Sequence, residues 1–106
     1  MKLVIKSWGS EMWLLNNELY CSKVMICFKD KWSSKGKYHY HKNKDETFFI
    51  LEGELHLVVD GYSIILEKGD SFRIPPFTLH KFTSVTPYCK FIEASTHHDD
   101  EDSYKI

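Results

Sequence analysis

Short strand-like segments follow one another closely through this chain, and turn residues separate them. Thr47 to Leu51 leads through Glu52-Gly53 into Glu54 to Val59, and Asp60-Gly61 then gives the strongest hairpin signal in the sequence. No stretch shows the apolar periodicity of an amphipathic helix over a typical helix length. The pattern therefore predicts an all-β fold, either an antiparallel sandwich or a barrel.

One domain is expected to span residues 1–106, since this length suits a single compact unit. The remaining strand-like segments are Lys2–Trp8, Glu11–Leu15, Leu19–Lys29, Tyr62–Leu66, Ser71–Ile74, Leu79–Ser84 and Tyr88–Ala94. Leu55, Leu57 and Val59 share one face of their strand, which predicts that this face is buried. Residues 96–106 are acidic, and we expect them to form a flexible C-terminal tail.

Charge and composition exclude several classes of protein. The formal net charge is −1, so there is no electrostatic argument for a nucleic-acid partner. No apolar run reaches the roughly 20 residues of a membrane span, and none at the start resembles a signal peptide. Cys21, Cys27 and Cys89 lack zinc-site spacing and leave one thiol unpaired in any disulfide scheme. We therefore expect reduced thiols, a cytoplasmic location and no membrane partner.

Two histidines and a carboxylate are spaced so that their side chains can lie close together. His39 and His41 point to the same side of an extended backbone because side chains alternate along a strand. Glu46 follows after a few residues, and a short turn can bring it beside them. Imidazole and carboxylate together suit divalent first-row metals, so the segment predicts a metal site. The alternative is that histidines in this polar stretch are simply hydrated.

A second segment can complete the same site. Gly69 permits a tight turn, and Pro75 ends a strand because proline cannot continue a central one. His80 then opens a new strand, where it can face inward toward the first group of ligands. This interpretation depends on the fold bringing the two segments together.

The two segments resemble the paired motifs of the cupin superfamily. The first motif matches at His39, His41, Glu46 and Gly53, and the second at Gly69, Pro75 and His80. The sequence departs from the motifs at three positions: Ser33 and Phe77 replace glycines, and Ser84 replaces an asparagine. The resemblance implies a small antiparallel β-barrel with jelly-roll topology.

The resemblance also implies one divalent transition metal inside the barrel, bound by His39, His41, Glu46 and His80. Iron, manganese, nickel, zinc and copper all accept such ligands, so the identity of the metal stays open. Three neutral imidazoles and one carboxylate leave the ion with net positive charge. An ion of this kind can act as a Lewis acid on substrate oxygens.

Other polar residues are candidates for catalysis. Arg73, the only arginine, lies shortly before Pro75 and could bind a carboxylate or phosphate, unless it simply faces outward. Glu52 shares strand parity with Glu46 and is the better acid–base candidate, although such turn residues are usually hydrated. The tail pair His97-His98 is an alternative metal-binding position.

The two ends of the chain carry a narrower resemblance. They are similar to the cupin segment of bacterial mannose-6-phosphate isomerase and mannose-1-phosphate guanylyltransferase proteins at Trp8-Gly9-x-Glu11, Tyr20-Cys21-x-Lys23, Glu93–Thr96 and Asp102-x-Tyr104-Lys105-Ile106. This resemblance implies a small-molecule substrate, either a sugar or a sugar phosphate.

We therefore expect a metal-dependent sugar or sugar-phosphate isomerase or epimerase. Glu52 would move the proton, and Arg73 or Lys42 would anchor a phosphate. The alternatives are an iron-dependent dioxygenase and a sugar-binding module without catalysis, because the fold alone does not fix the function. We also expect a homodimer, since open strand edges invite pairing with a second copy.

Overall fold

The computed structural model describes residues 1–106, and strands dominate it. The eleven strands are β1 (Lys2–Lys6), β2 (Gly9–Asn16), β3 (Tyr20–Phe28), β4 (His39–Tyr40), β5 (Glu46–Glu52), β6 (Leu55–Val59), β7 (Tyr62–Leu66), β8 (Ser71–Ile74), β9 (His80–Ser84), β10 (Tyr88–Thr96) and β11 (Tyr104–Lys105). The one helical segment is a short 3-10 turn at Ser33–Gly36. None of this helical structure has the length and apolar character needed to cross a membrane.

The strands form two antiparallel sheets. The larger sheet has six strands in the order β1-β2-β3-β10-β5-β8, and the smaller has five in the order β11-β4-β9-β6-β7. The predicted all-β fold with jelly-roll topology is confirmed. The sheets do not close into one hydrogen-bonded ring, so the expected barrel is more accurately a two-sheet arrangement with a shared interior.

The hydrophobic core contains side chains from both sheets. Its buried members are Trp8, Met25, Cys27, Phe48, Ile50, Leu55, Leu57, Leu66, Ile74, Phe82, Cys89 and Phe91. Leu55 and Leu57 are fully buried, as the alternation in β6 predicts. Asp60 and Gly61 have φ values of 48° and 86°, which suit the tight hairpin between β6 and β7. Burying apolar side chains in this way supplies the main driving force for folding.

Two turns connect the larger sheet to the smaller one, and the second lies beside the predicted site. Gly53 has a φ of 79°, and a Cβ there would collide with the carbonyl oxygen of Tyr88, so only glycine fits. Phe77 has a φ of 65° at a position where the cupin motif has glycine. Its backbone N–H donates a hydrogen bond to the carbonyl of His41 at 2.7 Å. This turn thus holds the second motif segment against the first.

The C-terminal segment is packed, which differs from the flexible tail that its composition suggests. Strand β11 pairs with β4, and the N–H of Ile106 donates to the carbonyl of Tyr38 at 2.9 Å. The Tyr104 ring stacks on Tyr40 with centroids 5.2 Å apart. The tail is ordered because Asp102 is buried and satisfied by backbone donors, which the charge pattern alone did not reveal.

Candidate metal centre

Strands of the smaller sheet bring the predicted histidines together. His39 on β4 pairs directly with His80 at the start of β9, and His41 follows β4 immediately. One ring nitrogen from each of the three histidines lies within 4.8 Å of the other two. His41 and His80 are buried, and His39 is partly buried. The histidine part of the predicted ligand set is therefore assembled in the structure.

Glu46 joins the histidines from the larger sheet. It begins β5, and its Oε2 lies 3.2 Å from Nε2 of His41 and 3.8 Å from Nε2 of His80. Its side chain is 2% exposed. The Glu46 carboxylate thus lies beside His41 and His80, between the two sheets.

Backbone carbonyls orient two of the rings. Nδ1 of His41 donates to the carbonyl of Asp102 at 2.6 Å, and Nδ1 of His80 donates to the carbonyl of Thr78 at 2.9 Å. A neutral imidazole that donates from Nδ1 presents a lone pair at Nε2. Both rings therefore direct an acceptor nitrogen at the Glu46 carboxylate. Hydrogen-bond partners outside a metal site commonly orient metal-binding histidines in this way.

This arrangement fits a cation. In their neutral tautomers, His41 and His80 leave lone pairs facing a carboxylate oxygen, which is unfavourable without a positive charge between them. The buried side-chain atoms without a hydrogen-bond partner are Nδ1 of His39, Oε2 of Glu46 and Nε2 of His80. Buried polar atoms normally find partners, and these three atoms are of the types that coordinate a cation. Nitrogen and carboxylate donors of this kind suit a divalent transition metal.

The protonation states also suit metal binding. Burial and the neighbouring His80 hold the pKa of His39 well below its ordinary value, and burial lowers the pKa of His80. Burial opposes ionisation of Glu46, but the attraction of the nearby Lys44 ammonium group leads the effects that outweigh it, so the carboxyl pKa lies below its ordinary value. His39 and His80 are therefore neutral and Glu46 is ionised at neutral pH, which are the forms that bind metals.

A second polar cluster lies beside the ligands, and the sequence interpretation missed it. Nζ of Lys44 lies 3.1 Å from Glu93 and 4.0 Å from Glu46, while Nζ of Lys23 lies 3.7 Å from Glu93 and 3.6 Å from Glu11. Both lysines and Glu93 are nearly fully buried. Buried charges carry a large desolvation cost, so a cluster of this size is unusual in a purely structural core.

His98 caps this cluster. Its Nδ1 accepts hydrogen bonds from Lys23 at 3.3 Å and from Lys44 at 3.1 Å. Its Nε2 lies 2.8 Å from a carboxylate oxygen of Asp100. His98 therefore belongs to the lysine–glutamate cluster, while His97 points away and bonds the carbonyl of Asn17.

One cavity of about 590 Å³ joins the two groups of residues. A volume in this range accommodates a small organic molecule, for which typical pockets have about 300–1,000 Å³. Six lysines and four carboxylates line it, namely Lys6, Lys23, Lys35, Lys37, Lys44, Lys105, Glu11, Glu46, Glu93 and Asp100. Four of the lysines are exposed near the opening, which gives the cavity a positive balance of charge.

The two proposed catalytic residues lie outside this cavity. Glu52 is exposed and accepts a hydrogen bond from the Tyr88 hydroxyl at 2.7 Å. A register shift opposite the end of β5 breaks the parity that Glu52 was expected to share with Glu46. Arg73 is exposed and forms a bidentate pair with Asp45. Neither side chain contributes to the cavity wall.

His98 makes folding stability depend on pH. Burial and the Lys44 and Lys23 ammonium groups lower its pKa to about 4, so the unfolded chain binds this proton at higher pH than the folded one. The stability contributed by the neutral ring is present above about pH 6.5 and is lost as the pH falls toward 4. Because the exposed Asp100 pairs with His98 and offsets part of the cost of charging the ring, we expect wild type to lose about 1 kcal/mol more than His98→Gln across this window. Urea unfolding at several pH values checks this, and equal losses in both proteins would contradict it.

A family profile and two curated proteins are similar to this chain in sequence. The sequence profile of the family described as Cupin domain matches residues 28–95, which is more than half of the chain. Quercetin 2,3-dioxygenase of Bacillus subtilis (strain 168) is 37% identical over 54 residues, covering 51% of this chain and 16% of that protein. D-lyxose ketol-isomerase of Thermofilum sp. (strain ex4484_79) is 28% identical over 104 residues, covering 74% of this chain and 58% of that protein. This chain therefore spans less than two thirds of either relative.

A solved structure shows the same fold. KdgF from Halomonas sp. superposes with a TM-score of 0.81 at 16% sequence identity, covering 95% of this chain and 90% of that one. Likeness at this level of identity supports the architecture and leaves the activity to be argued from the site. Because the family profile covers all four predicted ligand positions, the chain is a member of the cupin domain family.

Proposed function

We propose that the protein is a metal-dependent isomerase or epimerase of a small sugar or sugar phosphate. The observation that carries this proposal is the position of Lys44, whose buried ammonium group lies 4.0 Å from Glu46 and 3.1 Å from Glu93 in the same cavity. An acid–base pair beside a Lewis-acid site is what proton transfer next to a carbonyl requires.

The charge states assign a role to each member of the pair. Burial lowers the pKa of Lys44, but Glu93 and Glu46 outweigh it and keep the ammonium protonated. Burial raises the pKa of Glu93, which brings this carboxyl closer to the range of an effective general base. In the proposed isomerisation Glu93 takes the proton from the carbon beside the carbonyl and returns it to the former carbonyl carbon, while the proton of the adjacent hydroxyl group passes to the former carbonyl oxygen. Lys44 donates hydrogen bonds to the oxygen on which negative charge develops.

The remaining parts of the cavity support this chemistry. A metal held by His39, His41, Glu46 and His80 would polarise the substrate carbonyl as a Lewis acid when bound. Lys44, Glu46 and Glu93 are buried, and burial strengthens the electrostatic effect of charged groups on one another. The exposed lysines at the opening suit an anionic substituent such as a phosphate. One relative is named as a sugar isomerase, which is compatible with this proposal.

Solvent deuterium incorporation tests the proposal. Protein loaded in turn with manganese, iron, nickel, zinc or copper is incubated with aldoses, ketoses and their phosphates in deuterated water. We expect metal-dependent incorporation at the carbon beside the carbonyl of at least one substrate. Saturable ligand binding without incorporation would favour a sugar-binding module and defeat the isomerase.

An iron-dependent dioxygenase is the second candidate. The observation in its favour is the 37% identity over 54 residues with a protein named as quercetin 2,3-dioxygenase. The cavity is lined mainly by polar and charged residues, which suits a polar substrate better than an apolar one. Oxygen consumption that occurs with iron alone, and without deuterium incorporation, would select the dioxygenase.

We also propose a homodimer built through the edge of the larger sheet. Strand β1 is outermost in this sheet, and its Leu3 and Ile5 side chains are 62% and 74% exposed. An apolar edge strand with unpaired backbone groups favours pairing with a second copy. Light scattering is expected to give twice 12.6 kDa for wild type and 12.6 kDa for Ile5→Glu. A mass of 12.6 kDa for wild type at micromolar concentration would contradict the dimer.

The cysteines support a cytoplasmic location, which we propose on that basis. All three are buried and free, and Cys27 lies directly opposite Cys89 in the register of β3 and β10. Thiols facing each other in this way persist most readily in a reducing compartment.

A further inference from the structure

The loop between the histidine ligands and Glu46 is held by a single carboxylate from the other end of the chain. Asp102 is buried, and its Oδ1 accepts the backbone N–H of Lys42 at 2.8 Å. Its Oδ2 accepts the N–H groups of Asn43 at 3.1 Å and Lys44 at 3.0 Å. Three successive backbone donors thus converge on one side chain.

The backbone of the same residue orients a ligand ring. The carbonyl of Asp102 accepts Nδ1–H of His41 at 2.6 Å, which fixes the tautomer and aims Nε2 at Glu46. The side chain fixes the loop that follows His41, and the main chain fixes the imidazole. Lys44, at the end of this loop, is held beside Glu46 by the same contacts.

Neighbouring contacts keep the C-terminal segment in this position. Tyr104 and Lys105 pair with Tyr40 and His39 across β11 and β4. Burial raises the pKa of Asp102, but the three backbone N–H donors outweigh it and keep the carboxylate ionised. The charge strengthens its hydrogen bonds to the loop.

We propose that Asp102 is a positioning residue, which fixes His41 and the loop to Lys44 in the geometry that metal binding needs. The inference rests on the proposed metal site and is independent of the reaction catalysed there. Outer partners of metal ligands typically change metal affinity by about 10–100-fold when they are replaced.

Asp102→Asn tests this with little change in shape. The asparagine amide has one oxygen in place of two, so at least one backbone N–H of the loop faces an NH₂ group and loses its acceptor. We expect the zinc or cobalt dissociation constant to rise about tenfold in Asp102→Asn and toward 100-fold in Asp102→Ala. Glu101→Gln is the matched control, since it removes the same charge from the exposed neighbouring residue and is expected to leave affinity unchanged.

Two readouts separate positioning from a general effect on stability. Metal titration is done well below the melting temperature, and nitrogen NMR of metal-free protein reports the tautomer of His41. We expect wild type to show protonated Nδ1 and Asp102→Ala to show a mixture of tautomers. Unchanged affinity and tautomer in a folded variant would overturn the proposal. Failure of wild type to bind metal would instead defeat the metal site, and the tautomer measurement would still decide the role of Asp102.

Discussion

Replacing His39 and His41 together by alanine is expected to abolish metal binding. Wild type should take up one equivalent of a divalent transition metal, while the double variant should take up none, because half of the ligand set is gone. Elemental analysis after metal loading and desalting measures the stoichiometry. The fold should remain, since neither side chain belongs to the hydrophobic core.

The control for this prediction is His97→Ala. His97 is an exposed histidine that bonds the carbonyl of Asn17, far from the ligand cluster in the chain, and its loss should leave one equivalent bound. Equal stoichiometry in wild type and in the double variant would contradict the account. The metal would then lie elsewhere, with the His97-His98 pair as the first position to examine.

Replacing Lys44 by glutamine is expected to remove isomerisation while leaving the metal in place. Positioned acid–base groups contribute about a hundred- to ten-thousand-fold in rate, so deuterium incorporation should fall by about that factor. Glutamine retains a hydrogen-bond donor near Glu93 but cannot supply the positive charge. Incorporation is measured on the substrate that wild type accepts, with metal content determined for each sample.

Lys42→Gln is the matched control for this variant. It removes the same charge from the same loop. Lys42, expected from the sequence to anchor a phosphate, does not line the cavity, and its exposed ammonium group lies over the Tyr104 ring at 4.4 Å. We expect it to retain near wild-type incorporation. A similar loss of rate in both variants, or full activity in Lys44→Gln, would exclude the assigned role of Lys44.

The position of most of the candidate ligands was predictable because their signal is local. His39, His41 and Glu46 lie within one strand–turn–strand segment, so alternation and spacing suffice to place them on one side. His80 required a fold-level argument, and the resemblance to the cupin motifs supplied it. In the structure the two motif segments meet because His39 on β4 and His80 on β9 are direct partners in neighbouring strands.

The second cluster was not predictable in the same way. Glu93 and Lys44 are 49 positions apart, and Asp102 lies 58 to 61 positions from the groups that it holds. Lysine and glutamate are normally solvated, so composition argues against burying them. Two members of the cluster carried a usable signal. Lys23 lies on the same face of β3 as the buried Cys21 and Met25, and Glu93 lies on the same face of β10 as the buried Cys89 and Phe91. Strand parity there would have predicted an inward-facing charge.

Strand parity misled the interpretation of Glu52. Glu46, Phe48 and Ile50 alternate inward along β5 as expected, but the register against β10 shifts between Lys90 and Phe91. A register shift of this kind reorients the residues at the strand end, and a sequence gives little sign of it. The acid–base role is therefore assigned to residues that the fold brings together.

An anomalous difference map from a crystal of the metal-loaded protein shows directly whether a metal binds at the histidine–glutamate cluster. We expect one strong peak between Nε2 of His41, Nε2 of His80 and the Glu46 carboxylate, within reach of the His39 ring. We also expect His41 to keep its hydrogen bond to the carbonyl of Asp102 in the metal-loaded protein. A crystal that shows its only peak at His97 or His98, or no peak after loading, would contradict the account.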